Sequence, residues 1–407
     1  MAVVAAPVGA SSGTSSTRIE RVSASEIPVS AHPVAHASST PSAQIDAGAL
    51  AHNYGEVTRL VGGGTGVIAM IKSDAYGHGA PLCASILARA GCSRFGVATI
   101  DEAIEIQPVL QQATGSQRAR IVVLGGVLAG EAAAAVDAGI EVTTQEIDVV
   151  RAIGASAAAS GSEALVHVKI DTGMHRLGIA PEDAVDFVRA ASAVRGVRVV
   201  AICSHFAQAE SVTGEVTAGQ LEAMLGADRA LREAGFALER HLANSAAILS
   251  RPDAHLDVVR PGIMLYGVAP DPALRGRADL RPVMTLVARV IRVADVPRGD
   301  GIGYGHTFRT SRPTRLATVR FGYADGYPRC LGNLAVASVA GTRVPLVGRI
   351  CMDHAMFDVT DAPPVSVGDE VTLWGDDPRV EEIASLADTI AYELLARVGR
   401  RVRRETK

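Results

Sequence analysis

The 407-residue chain reads as an α/β protein, an N-terminal (β/α)8 TIM-type barrel over residues 44–280 followed by a mainly-β domain over 281–407. Three observations carry that expectation. Up to about residue 280, short and continuously apolar runs alternate with Ala-rich helical stretches, the pattern of a parallel sheet covered on both faces. Seven or eight such units favour a closed barrel over an open doubly wound sheet, and no GxGxxG follows the first strand to suggest a dinucleotide site. After residue 280 the apolar residues recur at period two between Gly and Pro turns, which indicates antiparallel strands.

Residues 1–43 are rich in Ser, Ala, Pro and Thr without periodicity, as in SSGTSST and SAHPVAHASSTPS, and are expected to be a disordered extension. No basic residue precedes an apolar stretch, so a secretory signal is not expected; Glu20 and Glu26 fit a transit peptide badly, and the expected location is cytoplasmic. The barrel strands are GVIAMIK (66–72), RFGVAT (94–99), RIVVLGG (120–126), EVTT (141–144), LVHVKID (165–171), RVVAICSHF (198–206) and DVVRPG (257–262). Between them lie helical segments such as PLCASILARAG, GEAAAAVDAG, PEDAVDFVRAAS and AGQLEAMLGADRALREAG. In the second domain VMTLVARVIRVADV, LATVRFGY, LAVASVAGTRVPLVGRI and HAMFDVT alternate as strands. One helix, EEIASLADTIAYELLARV, follows, and the basic tail RRVRRETK reads as a solvated end.

Composition removes several function classes. Hydrophobic residues at 48 % and charged residues at 20 % exclude wholesale disorder. A net charge of -4 gives no electrostatic reason to expect nucleic acid or an anionic membrane as partner. Five scattered cysteines with no CxxC pair argue against a disulfide framework and a structural zinc, and no metal is expected. No apolar run approaches the ~18 residues of a membrane helix.

Lysine is the informative residue. Lys and Arg total 39, yet only Lys72, Lys169 and Lys407 are lysines. A primary amine can lose its proton, form an imine with an aldehyde or take up carbon dioxide, none of which a guanidinium does. Lys72 ends a strand and precedes the polar loop SDAYGHGA, at the barrel face where catalytic groups gather. Apolar walls there lower an amine pKa toward the range useful for imine and base chemistry. KIDTGMHRLG places Lys169, Asp171 and Arg176 near another strand end, and CSHFA places His205 at the next. Asn244 and Ser245 open a helix, where backbone N–H groups favour an anion, and VVRPGIMLYG supplies Arg260 with the amides of Gly262 and Ile263. Singly each has a packing or capping explanation. Together they describe a site for a phosphorylated aldehyde.

Eight motifs in order make the chain resemble the alanine racemase family of pyridoxal-phosphate enzymes: IKSDAYGHG (71–79), KIDTGMHRLG (169–178), SHFA (204–207), ANSAA (243–247), VRPGIMLYG (259–267), IGYGHTF (302–308), GYADGYPR (322–329) and VGRICMD (347–353). The resemblance spans roughly residues 44 to 400. It implies racemisation of L- and D-alanine with pyridoxal 5'-phosphate, supplying D-alanine for peptidoglycan, in a homodimer with shared sites. Lys72 would hold the cofactor and act as base on one face of the substrate, and Tyr304 would act on the other face from the partner chain. Tyr76, Asn244, Ser245, Gly262, Ile263 and Tyr323 would bind or line the phosphate. His205 would lie by the ring and contact Tyr304, Arg260 would meet the pyridine nitrogen, and Arg176 the phenolic oxygen. Arg176 and the backbone N–H of Met352 would receive the substrate carboxylate, and Lys169 matches a position that some members carbamylate. Members often carry Ala where Ser73 stands, and many end on a segment whose tyrosine lines the substrate entrance; here Arg400 holds that place in Arg400-Arg401-Val402-Arg403-Arg404. That departure supports the alternative of a broader racemase acting on serine, lysine or arginine. A decarboxylase of the same fold is opposed by Arg260 and Tyr304, and a non-catalytic carrier by the whole second domain.

Overall fold

A computed structural model describes residues 39–115, 119–210 and 214–407. The expected extension lies outside these up to residue 38. Eight parallel strands close into a barrel: Arg94–Val97, Arg120–Val123, Glu141–Thr144, Ala164–Lys169, Val197–Cys203, Glu239–His241 and Val258–Val259 follow a first strand made of two pieces, Gly66–Val67 and Ala69–Met70. Ile68 separates those pieces. Gly66–Val67 pairs with Val258–Val259 and Ala69–Met70 with Arg94–Val97, so the first strand joins both ends of the sheet. Helices such as Ala80–Arg89, Ile100–Thr114, Ile147–Ser160 and Glu215–Glu233 cover the outside. Local chemistry starts them. Asp46 caps Ala47–Val61 by accepting the Ala49 N–H at 2.8 Å, and Thr99 caps Ile100–Thr114 by accepting from Glu102 at 3.2 Å.

The strand Glu239–His241 was not among the expected runs, and its sequence explains why. It has three residues, two of them charged, and these pair outward: Arg94 with Glu239, and Arg240 with Asp257. Partly exposed ion pairing stands where an apolar run would have signalled a strand.

The second sheet runs Thr342–Pro345, Val336–Val339, Glu370–Trp374, Met284–Val296, Ser42–Ile45, Arg403–Thr406, with Thr314–Val319 and Ala355–Asp358 branching from the long strand Met284–Val296. Both chain ends of the described region meet here. Ser42–Ile45 lies antiparallel to Met284–Val296 and parallel to Arg403–Thr406. The expected boundary at 43/44 therefore falls inside a strand. The basic tail is largely exposed, as expected, but it is tied down as a strand and at Arg404. The half-buried Arg404 guanidinium donates to the carbonyls of Gly77 (3.0 Å), Gly399, Val402 and Val398 (2.7 Å each), tying the tail to the loop after Lys72.

The single expected helix over 381–398 is two, Val380–Leu386 and Ala391–Ala396. Asp388 takes φ 53 between them, a left-handed conformation that Asp tolerates. The break matters because it turns Tyr392 toward the barrel mouth.

Candidate active site

At the C-terminal ends of the barrel strands lies a cleft of about 650 Å³. Its lining includes ten of the barrel residues singled out from the sequence, Lys72, Tyr76, Lys169, Arg176, His205, Asn244, Ser245, Arg260, Gly262 and Ile263, while Asp171 stands outside it. A larger hollow of about 970 Å³ beside segments 267–280 and 379–392 holds no lysine or histidine, so size alone does not mark the site.

Lys72 is aimed by an unusual turn. The four residues after it, Ser73, Asp74, Ala75 and Tyr76, all have φ of 53–54° and form a left-handed helical turn. Each non-Gly residue there costs roughly 1–2 kcal/mol, so the surroundings must hold the turn. Glu102 does so from the helix Ile100–Thr114: one carboxylate oxygen accepts the Ser73 N–H and the other the Ala98 N–H, both at 2.7 Å. Asp74 accepts the Ala80 N–H at 2.7 Å, and the Ala75 N–H reaches Ile71 O at 2.9 Å. The result places Lys72 and Tyr76 on one wall. Gly262 is required opposite, because a Cβ there would come within 2.3 Å of the Tyr76 hydroxyl.

The electrostatics of the cleft are one-sided. Lys72, Lys169, Arg176 and Arg260 line it, and among the described residues no carboxylate does. Burial, reinforced by Arg176, lowers the Lys72 pKa, while the Glu102 charge opposes the shift. Burial brings Lys169 down to about 8, with Arg260 and Arg176 contributing. Arg176 sits on a loop folded around Asp171, whose Oδ1 accepts the N–H groups of Gly173 (2.9 Å), Met174 and His175 (3.0 Å each).

Arg260 is buried and donates to Ser204 O (2.7 Å), Leu242 O (3.2 Å), His205 Nδ1 (3.2 Å) and His241 Nδ1 (2.8 Å). Burial first, and Arg260 next, drive the pKa of His205 well down. A neutral His205 accepting at Nδ1 carries its proton on Nε2. Asn244 proves to be a cap, accepting the Ala247 N–H at 3.0 Å. Ser245 Oγ accepts the Gly262 N–H at 2.8 Å and keeps its own O–H as a donor.

The barrel residues fit pyridoxal phosphate on these observations. An amine whose pKa is lowered by burial suits an aldehyde, and a cationic cleft with no carboxylate among its described lining residues suits a phosphate, with the Tyr76 and Ser245 hydroxyls as donors. Tyr392 also lines the cleft, its ring 6.1 Å from that of Tyr76. Sequence reasoning missed it inside a helical pattern; an aromatic among small and aliphatic neighbours was the only signal.

Three expected site residues are elsewhere. Tyr304 is 69 % exposed, Met352 54 % and Tyr323 43 %, and none lines the cleft of its own chain. They share one edge of the second sheet's loops. The N–H groups of Tyr323 and Ala324 reach Cys351 O and Met352 O at 3.1 and 3.0 Å, and Arg349 packs against Gly305. Arg401 bonds Asp325 and Asp353 beside them, whereas Arg400 is exposed.

Fold and site together define an enzyme of the class that joins a (β/α)8 barrel to a β-domain, with two lysines lining the cleft at the barrel mouth. The model described as alanine racemase, N-terminal domain, matches residues 45–270, and that for the C-terminal domain matches 283–406. The alanine racemase of Chlorobaculum tepidum is 41 % identical over 364 residues, 89 % of this chain and 94 % of that protein. The structure of alanine racemase from Streptomyces coelicolor A3(2) superposes with a TM-score of 0.85 at 36 % identity, covering 91 % of this chain and 99 % of that one. Alanine racemase from Bartonella henselae, solved with covalently bound pyridoxal phosphate, gives 0.81 at 30 % identity over 90 % and 99 %. The chain belongs to the alanine racemase family and is an isomerase acting on amino acids.

Proposed function

We propose that the protein interconverts L- and D-alanine with pyridoxal 5'-phosphate, using Lys72 and Tyr304 of the partner subunit on opposite faces of the substrate, and so supplies D-alanine for peptidoglycan. The observation that carries the reading is a cationic cleft, with no carboxylate among its described lining residues, around a half-buried lysine with a lowered pKa. Bound there, pyridoxal phosphate supplies an electron-withdrawing ring that acidifies the substrate Cα–H.

The chain's own residues do the rest. Lys72 anchors the cofactor and moves a proton at one face of Cα. Tyr76, Ser245 and the Gly262–Ile263 backbone hold the phosphate, with Asn244 capping the helix beneath and the partner subunit's Tyr323 contributing. Arg176 and the backbone N–H of the partner subunit's Met352 receive the substrate carboxylate. Arg260 faces the ring nitrogen and donates rather than accepts, which limits charge build-up on the ring and disfavours side reactions.

A phenol ionises near ~10, so a tyrosine base needs a nearby positive charge or a relay. His205 offers one: Arg260 occupies its Nδ1, leaving Nε2–H to stabilise the phenolate. Racemisation needs a base on each face, so the exposed Tyr304 must come from a second copy, in a homodimer whose sites each draw on both chains. Lys169, carbamylated, would hold Arg176 in place. Residues 44–280 and 281–407 then act as barrel and β-domain of one enzyme, in the cytoplasm.

The test is chiral analysis of L-alanine, L-serine, L-lysine and L-arginine incubated with cofactor-loaded protein, beside Tyr304→Phe. D-Alanine should dominate, and the variant should keep its cofactor while losing about 10²–10⁴ in rate. Dominance of another product moves the protein to a broader racemase, the reading that Arg400 favours. A fully active Tyr304→Phe removes the two-base scheme.

A further inference from the structure

Arg260 carries a buried charge, and among the described residues none of its hydrogen-bond partners is a carboxylate; they are two backbone carbonyls and two imidazoles. An unbalanced buried guanidinium is costly, so its compensation must lie further off. It lies at the opposite end of the barrel. His241 Nε2 is 2.8 Å from His167 Nδ1, and His167 Nε2 is 2.8 Å from Glu141 Oε2. Both imidazoles are fully buried and Glu141 is 3 % exposed. Glu141 opens its strand at the N-terminal rim, where Arg120 pairs with it and reaches solvent. The chain therefore crosses the interior from mouth to rim, past the intervening strand Val197–Cys203.

Donor logic fixes every proton in it. Arginine only donates, so His241 Nδ1 accepts. His241 then keeps one proton, on Nε2, and donates to His167 Nδ1. His167 in turn carries its proton on Nε2 and donates to the carboxylate. An imidazolium at His167 would leave His241 accepting at both nitrogens with no proton, so the intact chain excludes it. Donation runs one way, Arg260 to His241 to His167 to Glu141. Burial raises the Glu141 pKa, but hydrogen bonds from His167 and Arg120 outweigh it and hold the carboxyl at about 2, ionised at any working pH. Burial, then Arg260, depresses His241 well below the ordinary histidine value. Aliphatic residues usually fill a barrel interior, and by packing alone they would serve as well here.

We propose that Glu141, His167 and His241 are positioning residues, a one-way donor chain that fixes Arg260 in the cleft and balances its charge from the far rim of the barrel. The inference rests on the reading that Arg260 faces the cofactor nitrogen. Polarisation along the chain strengthens His241 as acceptor, as a carboxylate behind a histidine strengthens a metal ligand. Arg260 is thereby a weaker donor toward the cleft than a guanidinium without this support.

The test uses holoenzyme labelled with ¹⁵N in its histidines. His167 and His241 should each show a protonated Nε2 and a bare Nδ1, and His241 should keep that pattern from pH ~6 to ~9. Glu141→Gln keeps an acceptor for His167 but removes the charge. It should lower kcat on the order of ten-fold with little change in KM, and move the absorption maximum of the bound cofactor. Arg198→Gln at the same rim, where Arg198 pairs with Glu163, should do neither. A proton on Nδ1 of either ring at neutral pH, titration of His241 within that range, or Glu141→Gln indistinguishable from Arg198→Gln overturns the proposal. Loss of the proton pattern in a protein that still racemises overturns the chain alone. The pattern retained in a protein that neither holds the cofactor nor racemises overturns the functional reading alone.

Discussion

Lys169 shows how much one buried amine can say. At a pKa of about 8 roughly a tenth of it is neutral at pH 7, against less than about a thousandth for an ordinary lysine. Only the neutral amine attacks carbon dioxide, forming an N–C bond and releasing a proton, so carbamylation should rise as pH increases from about 7 through about 8. The product replaces a positive charge with a negative one in a cleft that has Arg176 and no carboxylate. In ¹³C-bicarbonate the protein should therefore give a carbamate resonance that grows over that window and is missing in Lys169→Arg. A spectrum without it leaves Lys169 a buried amine. The scarcity of lysine made both cleft lysines legible from composition, and the histidine and arginine motifs followed from strand-end positions. Tyr392 was not legible, because its role depends on a helix break that Asp388 makes three-dimensionally and no periodicity records. His167 and Glu141 were hidden for a related reason. They read as ordinary members of strands, and only the closed barrel brings them into line with Arg260.

At the scale of elements, the turn Ser73–Tyr76 is the strained part, and Glu102 is its clamp. Glu102→Ala leaves the Ser73 and Ala98 N–H groups without their acceptor and should destabilise the protein by about 1–3 kcal/mol in urea unfolding. The same change removes a charge that raises the Lys72 pKa, so that pKa should fall further and cofactor attachment should extend to lower pH. A variant matching the parent in both measurements would show that Asp74 and Arg404 hold the turn without help. Most barrel strands were readable because burial on both faces demands apolar runs. Glu239–His241 failed that rule because its two charged residues meet ion-pair partners, and the tail failed for the converse reason. A run of arginines looks solvated until one of them, Arg404, finds four backbone carbonyls. Pairing of Ser42–Ile45 with strands more than two hundred residues away leaves no local trace at all.

For the whole molecule the decisive question is why Tyr304, Tyr323 and Met352 stand together, exposed, on an edge that does not reach their own cleft. Large apolar side chains so placed are easiest to reconcile with a second copy that covers them. A symmetric pair would carry each edge to the other chain's barrel mouth and complete both sites at once. Complementation tests this directly. Lys72→Ala and Tyr304→Phe are each expected to be nearly inactive alone. Unfolded and refolded together at equal concentration, they should form mixed dimers as half the population, and each mixed dimer has one site with both Lys72 and Tyr304 intact. The mixture should then recover about a quarter of the parent rate. Were both residues to act within one chain, every site in the mixture would still lack one of them, and no activity would return. The recovered fraction should also fall on dilution if the dimer dissociates, since a divided site exists only while the two chains are together.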